Sequence, residues 1–204
     1  MTTEHYYTKK PKSKLKPRII HATLRGQKFT FHTGSSTFSP KKIDTGTKIL
    51  IKYAKVKPGD KVLDLGCGYG PIGITIAKTT PNTKITMSDI NERAITLTEK
   101  NIKENKVNAE TKQSNSFEKI KEKFDAILLN PPISAGKKTC YKMIEEAKKH
   151  LNKGGSLQIV ARHQKGGKSL QEKMKETFGN VQEIAKKSGF RVYISYNSKK
   201  LLSK

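Results

Sequence analysis

The chain has 204 residues, enough for one domain with a sizeable core. Lysine and arginine total 42 against 17 acidic residues, a net charge of +25. Such a surface attracts polyanions at long range, and this points to a nucleic-acid partner. No apolar run nears the ~20 residues of a membrane span, and the basic start lacks the apolar stretch of a signal peptide. The expected setting is cytoplasmic, with no membrane association. Cys67 and Cys140 stand in different segments with no histidine at ligand spacing, which excludes a disulfide framework and argues against a metal site.

Residues 1–17 carry Lys9, Lys10, Lys12, Lys14 and Lys16 with Pro11 and Pro17. Proline and like charges oppose packing, so a basic flexible arm is expected, either tracking RNA phosphates or only solubilising the chain. From 19 to 32, apolar and polar residues alternate, as in a β-hairpin turning at Gly26-Gln27. Asp44 or Thr45 can cap a helix that carries Ile49, Leu50 and Tyr53 on one face. Residues 57–60 read as a turn.

Strands and helices then alternate. Strands are expected over 61–65, 84–88, 110–113, 124–129 and 156–161. Helices are expected from Pro71, over 91–104, from about Thr139 to Leu151, and over 169–178, with 152–155 as a stop. Two closing strands, 181–185 and 191–196, are close enough to form an antiparallel hairpin. The pattern implies an α/β, Rossmann-like domain with a mostly parallel seven-stranded sheet, a C-terminal antiparallel hairpin and a small N-terminal hairpin. One domain is expected over 18–198, followed by a basic tail at 199–204.

Two stretches carry the chemistry. Val62-Leu63-Asp64-Leu65-Gly66-Cys67-Gly68-Tyr69-Gly70-Pro71-Ile72-Gly73 is an apolar strand, an acid and a glycine-rich turn opening a helix. In an open parallel sheet, ligands bind at the carboxyl ends of the strands. Gly66, Gly68 and Gly70 permit close backbone approach, and the helix presents free N–H groups. Asp89 ends the next strand about 20 residues on, where an acid can hold both ribose hydroxyls. Gly68–Gly73 also fits a dinucleotide pattern, but Asp64 would repel a pyrophosphate. A cationic, phosphate-free cofactor, S-adenosylmethionine (SAM), suits that acid better than NAD does. Tyr69 either packs over the cofactor or belongs to the core.

The second stretch is Asn130-Pro131-Pro132-Ile133, which also follows a strand. Its prolines keep the backbone out of a helix. The Asn130 side-chain oxygen and the Pro131 carbonyl, expected to lack an intrastrand partner, form two acceptors that can clamp an exocyclic amino group. Positioning and electrostatics then drive transfer without a strong base. Amino acceptors of this kind include guanine N2, adenine N6 and protein glutamine. The Asn-Pro-Pro run resembles the motif of amino methyltransferases, and by that resemblance Ile133 stands where the adenine enzymes place an aromatic residue and the glutamine enzymes a tyrosine. Lys137 is either a phosphate contact or a solvated lysine. Arg162, His163 and Lys165 follow the fifth strand, where they could meet RNA phosphates.

With these residues in view, the chain resembles the methyltransferase small domain family, which includes bacterial ribosomal RNA guanine-N2 methyltransferases. It is most similar in form to short, archaeal-type single-domain members. The matching segments are Thr37-Phe38-Ser39, 43–47, 63–73, 88–91, Ser114-Asn115, 130–133, Gly136-Lys137 and 190–193. The resemblance implies a class I SAM-dependent fold and methyl transfer to guanine N2 of RNA, ribosomal RNA first among them. It implies a cofactor set of Asp64, Gly66, Cys67, Gly68, Gly70, Asp89 and Ile90, with Asn115 beside the adenine and Asn130 shared with the acceptor. It implies a catalytic set of Asn130, Pro131, Pro132 and Ile133, with Phe38 and the 44–47 turn closing over both ligands. Two features depart from the bacterial members: the chain has a basic arm and hairpin where they carry an N-terminal domain, and Ile133 where they carry phenylalanine. Adenine-N6 or glutamine methylation, and a non-catalytic RNA-binding module, stay open as alternatives.

Overall fold

The computed structural model describes Lys9, residues 14–35 and residues 37–198. Most of the expected basic arm and the whole 199–204 tail lie outside the described residues. The elements are β1 (Pro17–Leu24), β2 (Gln27–Gly34), α1 (Thr45–Tyr53), β3 (Lys61–Leu65), α2 (Pro71–Thr79), β4 (Lys84–Asp89), α3 (Glu92–Glu104) and β5 (Glu110–Gln113). They continue with β6 (Phe124–Leu129), α4 (Lys137–Lys149), β7 (Leu151–Arg162), α5 (Lys168–Phe178), β8 (Gln182–Lys187) and β9 (Phe190–Tyr196).

β3 to β9 form one seven-stranded sheet in the order β5-β4-β3-β6-β7-β9-β8. β3 to β7 run parallel, and β9 is antiparallel to both β7 and β8. The closing hairpin therefore inserts its second strand beside β7 and leaves β8 at the edge. Chain direction across the sheet reverses between β3 and β6, and this creates a crevice at their carboxyl ends.

Period-two alternation assigns the two cores. Val62, Ala126 and Leu128 face a cluster shared with the hairpin, α1, α2 and α3. Leu63, Leu65, Ile127 and Leu129 face a second cluster with α4 and α5. Both sheet faces are covered, which is why these strands read as continuous apolar runs. Gly73 lets α2 lie close to the sheet: a Cβ there would stand 2.5 Å from Met87 Cγ and Sδ.

Three local expectations are corrected. The hairpin turns at Arg25-Gly26, not Gly26-Gln27, because Leu24 pairs with Gln27. Both turn residues have positive φ, 45° and 76°, the twist that two-residue hairpins favour. Arg25 tolerates this because its guanidinium is anchored on the Ile51 and Ala54 carbonyls, at 2.7 and 2.8 Å. Second, α4 begins at Lys137 and ends at Lys149, before Leu151. Third, the 152–155 segment is strand rather than a stop: β7 starts at Leu151, with a register shift opposite Phe124 and Ala126. Pro17, expected in the arm, already pairs with Gly34.

The hairpin docks through side chains the sequence does not flag. The amides of Asn101 on α3 and of Asn105, the C-cap residue one turn on, pair with the backbone of β2. The His32 N–H donates to Asn101 Oδ1 at 2.6 Å and the Thr30 N–H to Asn105 Oδ1 at 3.1 Å. Asn101 and Asn105 return Nδ2 to the His32 and Thr30 carbonyls, both at 2.8 Å. The two amides thus cover the outer edge of β2 as a further strand would.

Candidate active site

At the carboxyl ends of β3, β4 and β6 lies a cavity of about 390 Å³. Its floor is the loop after β3. The Gly66 and Cys67 N–H groups both bond the Ser88 carbonyl, at 2.8 and 2.9 Å, so the loop is tied to the end of β4. Gly66 and Gly68 have φ of 71° and 60°, and a Cβ on either would meet no atom within 4 Å. Both positions line the cavity, which is therefore shaped for a ligand that approaches the backbone itself. Gly70 caps α2 in the left-handed region with Pro71 at the first helical position.

Asp89 closes the far side. Its Oδ2 accepts from the Gly68 N–H at 2.8 Å and its Oδ1 from the Asn91 N–H at 2.9 Å. Each oxygen keeps acceptor capacity, and the residue lines the cavity. Burial pushes its carboxyl up to about 6 against the backbone N–H groups of Asn91, Gly68 and Ile90. Asp64 is fully buried and does not itself line the cavity. Its Oδ2 accepts from the Gly73 N–H at 2.8 Å, while its Oδ1 has no hydrogen-bond partner among the described residues. Burial raises it to about 7, offset partly by the Gly73 bond and increased by the charge of Asp89. A buried carboxylate with one unmatched oxygen beneath a glycine cradle fits a cationic ligand.

Cys67, Ile90 and Asn115 also line the cavity. The Cys67 thiol lies 3.8 Å from Thr98 Oγ1, and burial pushes it well above its ordinary value. It is a wall rather than a nucleophile. Asn115 is exposed and donates Nδ2 to Glu118 Oε1 at 2.6 Å, which leaves its amide oxygen as an acceptor. Tyr69 is both wall and core: it lines the cavity and packs edge-on against Phe31, ring centroids 5.9 Å apart. Asn101 also donates to the Tyr69 carbonyl at 2.8 Å, joining the glycine loop to the hairpin.

Asn130, Pro131 and Pro132 form the opposite wall. The Asn130 Nδ2 donates to Thr47 Oγ1 at 3.0 Å and Asp44 Oδ2 at 3.3 Å. A carboxylate only accepts, so this pairing orients the amide and leaves Asn130 Oδ1 for a ligand. Asp44 also caps α1 through the Thr47 N–H at 3.1 Å. The expectation of an unpaired Pro131 carbonyl is corrected: it accepts from the Ile133 N–H at 2.9 Å. Pro132, at φ −75° and ψ 78°, closes this inverse γ-turn, and only the second lone pair of the carbonyl remains.

Phe38 lines the cavity with Asp44 and Thr47. Ile133 does not; it is 42% exposed. A Cβ on Gly166 would lie 3.8 Å from its Cγ2, so the 163–167 turn stands beside it. Arg162, His163, Lys165 and Lys137 are likewise outside the cavity lining. The Arg162 guanidinium sits over the Phe190 ring at 4.9 Å, and His163 Nδ1 shares a 2.7 Å hydrogen bond with Tyr193 Oη. Lys137 and Lys165 are exposed. Sequence reading placed Asp44 and Thr47 in a closing turn and missed their hold on Asn130. A separation of 86 residues between Asp44 and Asn130 leaves no local signal.

A glycine-rich loop after β3, an acid ending β4 and an Asn-Pro-Pro stretch after β6, on this sheet order, mark the class I SAM-dependent methyltransferases. The chain belongs to the methyltransferase small domain family, which it matches over residues 28–194. It is 38% identical over 194 residues to the uncharacterized protein YbxB of Bacillus subtilis, covering 93% of this chain and 96% of that protein. It is 40% identical over 177 residues to the ribosomal RNA small subunit methyltransferase C of Haemophilus influenzae, covering 85% of this chain. The chain spans about half of that relative, 52% of its length. Among solved structures, a 16S rRNA N2 methyltransferase of T. thermophilus in complex with AdoMet and guanosine superposes with a TM-score of 0.79. It is 23% identical, over 91% of this chain and 52% of that one. A methyltransferase from Pyrococcus furiosus gives 0.68 at 23% identity, over 79% and 87% of the two chains. No helix among the described residues is long and apolar enough to cross a membrane.

Proposed function

We propose that this chain methylates the exocyclic N2 of guanine in RNA, with ribosomal RNA of the small subunit as the substrate. The observation that carries the amine acceptor is the fixed Asn130 amide, whose Nδ2 is held by Thr47 and Asp44 and whose Oδ1 is left as an acceptor. The base and the RNA come from the relatives named as ribosomal RNA methyltransferases, the first at 40% identity. The net charge of +25 supports a polyanionic substrate.

SAM, when bound, supplies an electrophilic methyl group. Gly66 and Gly68 admit it against the backbone, Asp89 accepts from its ribose hydroxyls, and Asp64 supplies negative charge from below. Cys67, Ile90 and Asn115 complete that side, with Gly70 capping α2 behind the loop and Asn115 as an acceptor for the adenine amine. Asn130 Oδ1 and the remaining lone pair of Pro131 accept the two N–H groups of the target amine. That turns the nitrogen lone pair out of conjugation with the ring. The nitrogen becomes cationic as it takes the methyl and then releases its proton to water, so orientation carries the rate and no strong base is needed. Pro132 holds the γ-turn, while Ile133 and Phe38 frame the entry of the base. Lys137, Arg162, His163 and Lys165 serve as an outer rim toward phosphates, and residues 18–198 act as one catalytic domain.

The test is methyl transfer from labelled SAM to small-subunit ribosomal RNA lacking modifications, followed by nucleoside analysis. N2-methylguanosine is the expected product. N6-methyladenosine in its place, or label only in protein, would overturn the guanine assignment.

A further inference from the structure

Building on the guanine reading above, we infer that Asp44 is the residue that tells guanine from other amine-bearing acceptors. Asp44 and Asn130 both line the cavity and are joined through Asp44 Oδ2 and Asn130 Nδ2, 3.3 Å apart. Asp44 Oδ2 also accepts from the Thr47 N–H at 3.1 Å. These two bonds use one carboxylate oxygen. The other, Oδ1, accepts no hydrogen bond among the described residues, and neither does Asn130 Oδ1. The amine clamp therefore has a second acceptor beside it, and that acceptor carries negative charge.

The chemistry of the possible substrates differs at this neighbouring position. Guanine carries a donor, N1–H, next to its N2 amine. Adenine carries the N1 lone pair next to N6, and cytosine the N3 lone pair next to N4. A glutamine amide carries its carbonyl oxygen beside the nitrogen. Asn130 Oδ1 accepts from any of these amines, whereas a carboxylate beside it attracts N1–H and repels a lone pair. Sites that pair with a specific donor strongly reject analogues that lack it, because a charged acceptor is then left unmatched. The backbone around Asp44 is built to hold it there. Gly46 has no room for a side chain, since a Cβ would lie 2.9 Å from Phe190 Cε1 and 3.0 Å from Asp44 Oδ2.

The decisive probe is 2-aminopurine, which has the same 2-amino group as guanine but a lone pair at N1. Synthetic RNA oligonucleotides with a single guanine, 2-aminopurine or adenine in a uridine background are incubated with the protein and labelled SAM. The wild-type protein is expected to methylate guanine about 10- to 100-fold faster than 2-aminopurine. Asp44→Asn can keep its oxygen toward Thr47 and Asn130 and turn its NH2 toward the base, so the ratio should fall toward one or invert. Thr47→Val removes a hydrogen bond to Asn130 without touching the N1 contact, so it should slow both substrates alike and preserve the ratio. Equal wild-type rates on guanine and 2-aminopurine, or an unchanged ratio in Asp44→Asn, would reject the role of Asp44 and leave guanine methylation standing. Transfer to adenine but not guanine, or to no oligonucleotide, would instead reject the guanine reading beneath it.

Discussion

The two walls of the cavity are built on different principles. The wall proposed to hold the cofactor is made of backbone: glycines at φ of 71° and 60°, N–H groups bonded to Asp89, and a helix start, all within one strand–loop–helix–strand unit. The wall proposed to hold the acceptor is made of side chains from distant segments, with Asn130 after β6 held by Asp44 and Thr47 at the start of α1. A backbone cradle gives affinity that few substitutions can tune. A side-chain clamp gives orientation, and its selectivity can change with one residue while the fold stays intact. The division suits an enzyme that keeps one cofactor and varies its substrate.

The largest separation of the two walls is expected from Asn130→Ala. Removing the oriented acceptor should lower the methyl-transfer rate by about 100- to 1000-fold, the size seen when one aligned transition-state group is lost. Affinity for S-adenosylhomocysteine, measured by calorimetry, should stay within a few-fold. A parallel loss of cofactor affinity would show that the walls are not independent.

Asp89→Ala should act on the other wall. Losing a charged acceptor for the ribose is expected to weaken S-adenosylhomocysteine binding by ~1.5–3 kcal/mol. Calorimetry again reads it, and unchanged affinity would remove Asp89 from the cofactor wall.

The smallest effect is a pH dependence confined to the cofactor side. Asp64 at about 7 and Asp89 at about 6 are both raised from 3.8, chiefly by burial. A raised carboxyl makes the folded state hold its proton more tightly than the unfolded chain does. Their contribution to stability without cofactor is therefore full below about pH 4 and is lost as pH rises through 6 to 7. In the proposed mode the cofactor binds the ionised forms, so its affinity should move the opposite way. It should rise several-fold from pH 5.5 to 8, with proton release on binding below pH 7. Calorimetric titrations in buffers of different ionisation enthalpy measure both quantities. A flat profile would mean that neither carboxyl ionises on binding.

Much of the glycine-loop side of the cavity was legible in the sequence because its parts are local. Gly66 and Gly68 follow one apolar strand, and Asp89 ends the next, so spacing alone brings them together, while Gly70, expected beside them, caps α2 and does not line the cavity. Pro131 shows the limit of such reading. Its carbonyl was expected to lack a partner, but the γ-turn at Pro132 brings the Ile133 N–H back onto it. The β7 start at Leu151 was hidden for a similar reason. Gly154 and Gly155 look like a helix stop, whereas the backbone there is paired, with the Gly155 carbonyl accepting from the Asn197 N–H at 2.8 Å.

The sequence by itself determined the alternation of strands and helices, the order of the glycine-rich loop, Asp89 and the Asn-Pro-Pro stretch, and the basic character of the surface. Those features depend on periodicity, turn chemistry and charge, which act over a few residues or add over the whole chain. Tertiary structure alone decided how the hairpin docks through Asn101 and Asn105, which way the Asn130 amide points, and that Asp44 stands beside it with one oxygen unused. Hydrogen bonds between residues tens of positions apart leave no period in the sequence. They exist only once the sheet has placed the ends of β3 and β6 side by side, with α1 packed on β7 and β9 and α3 against β2.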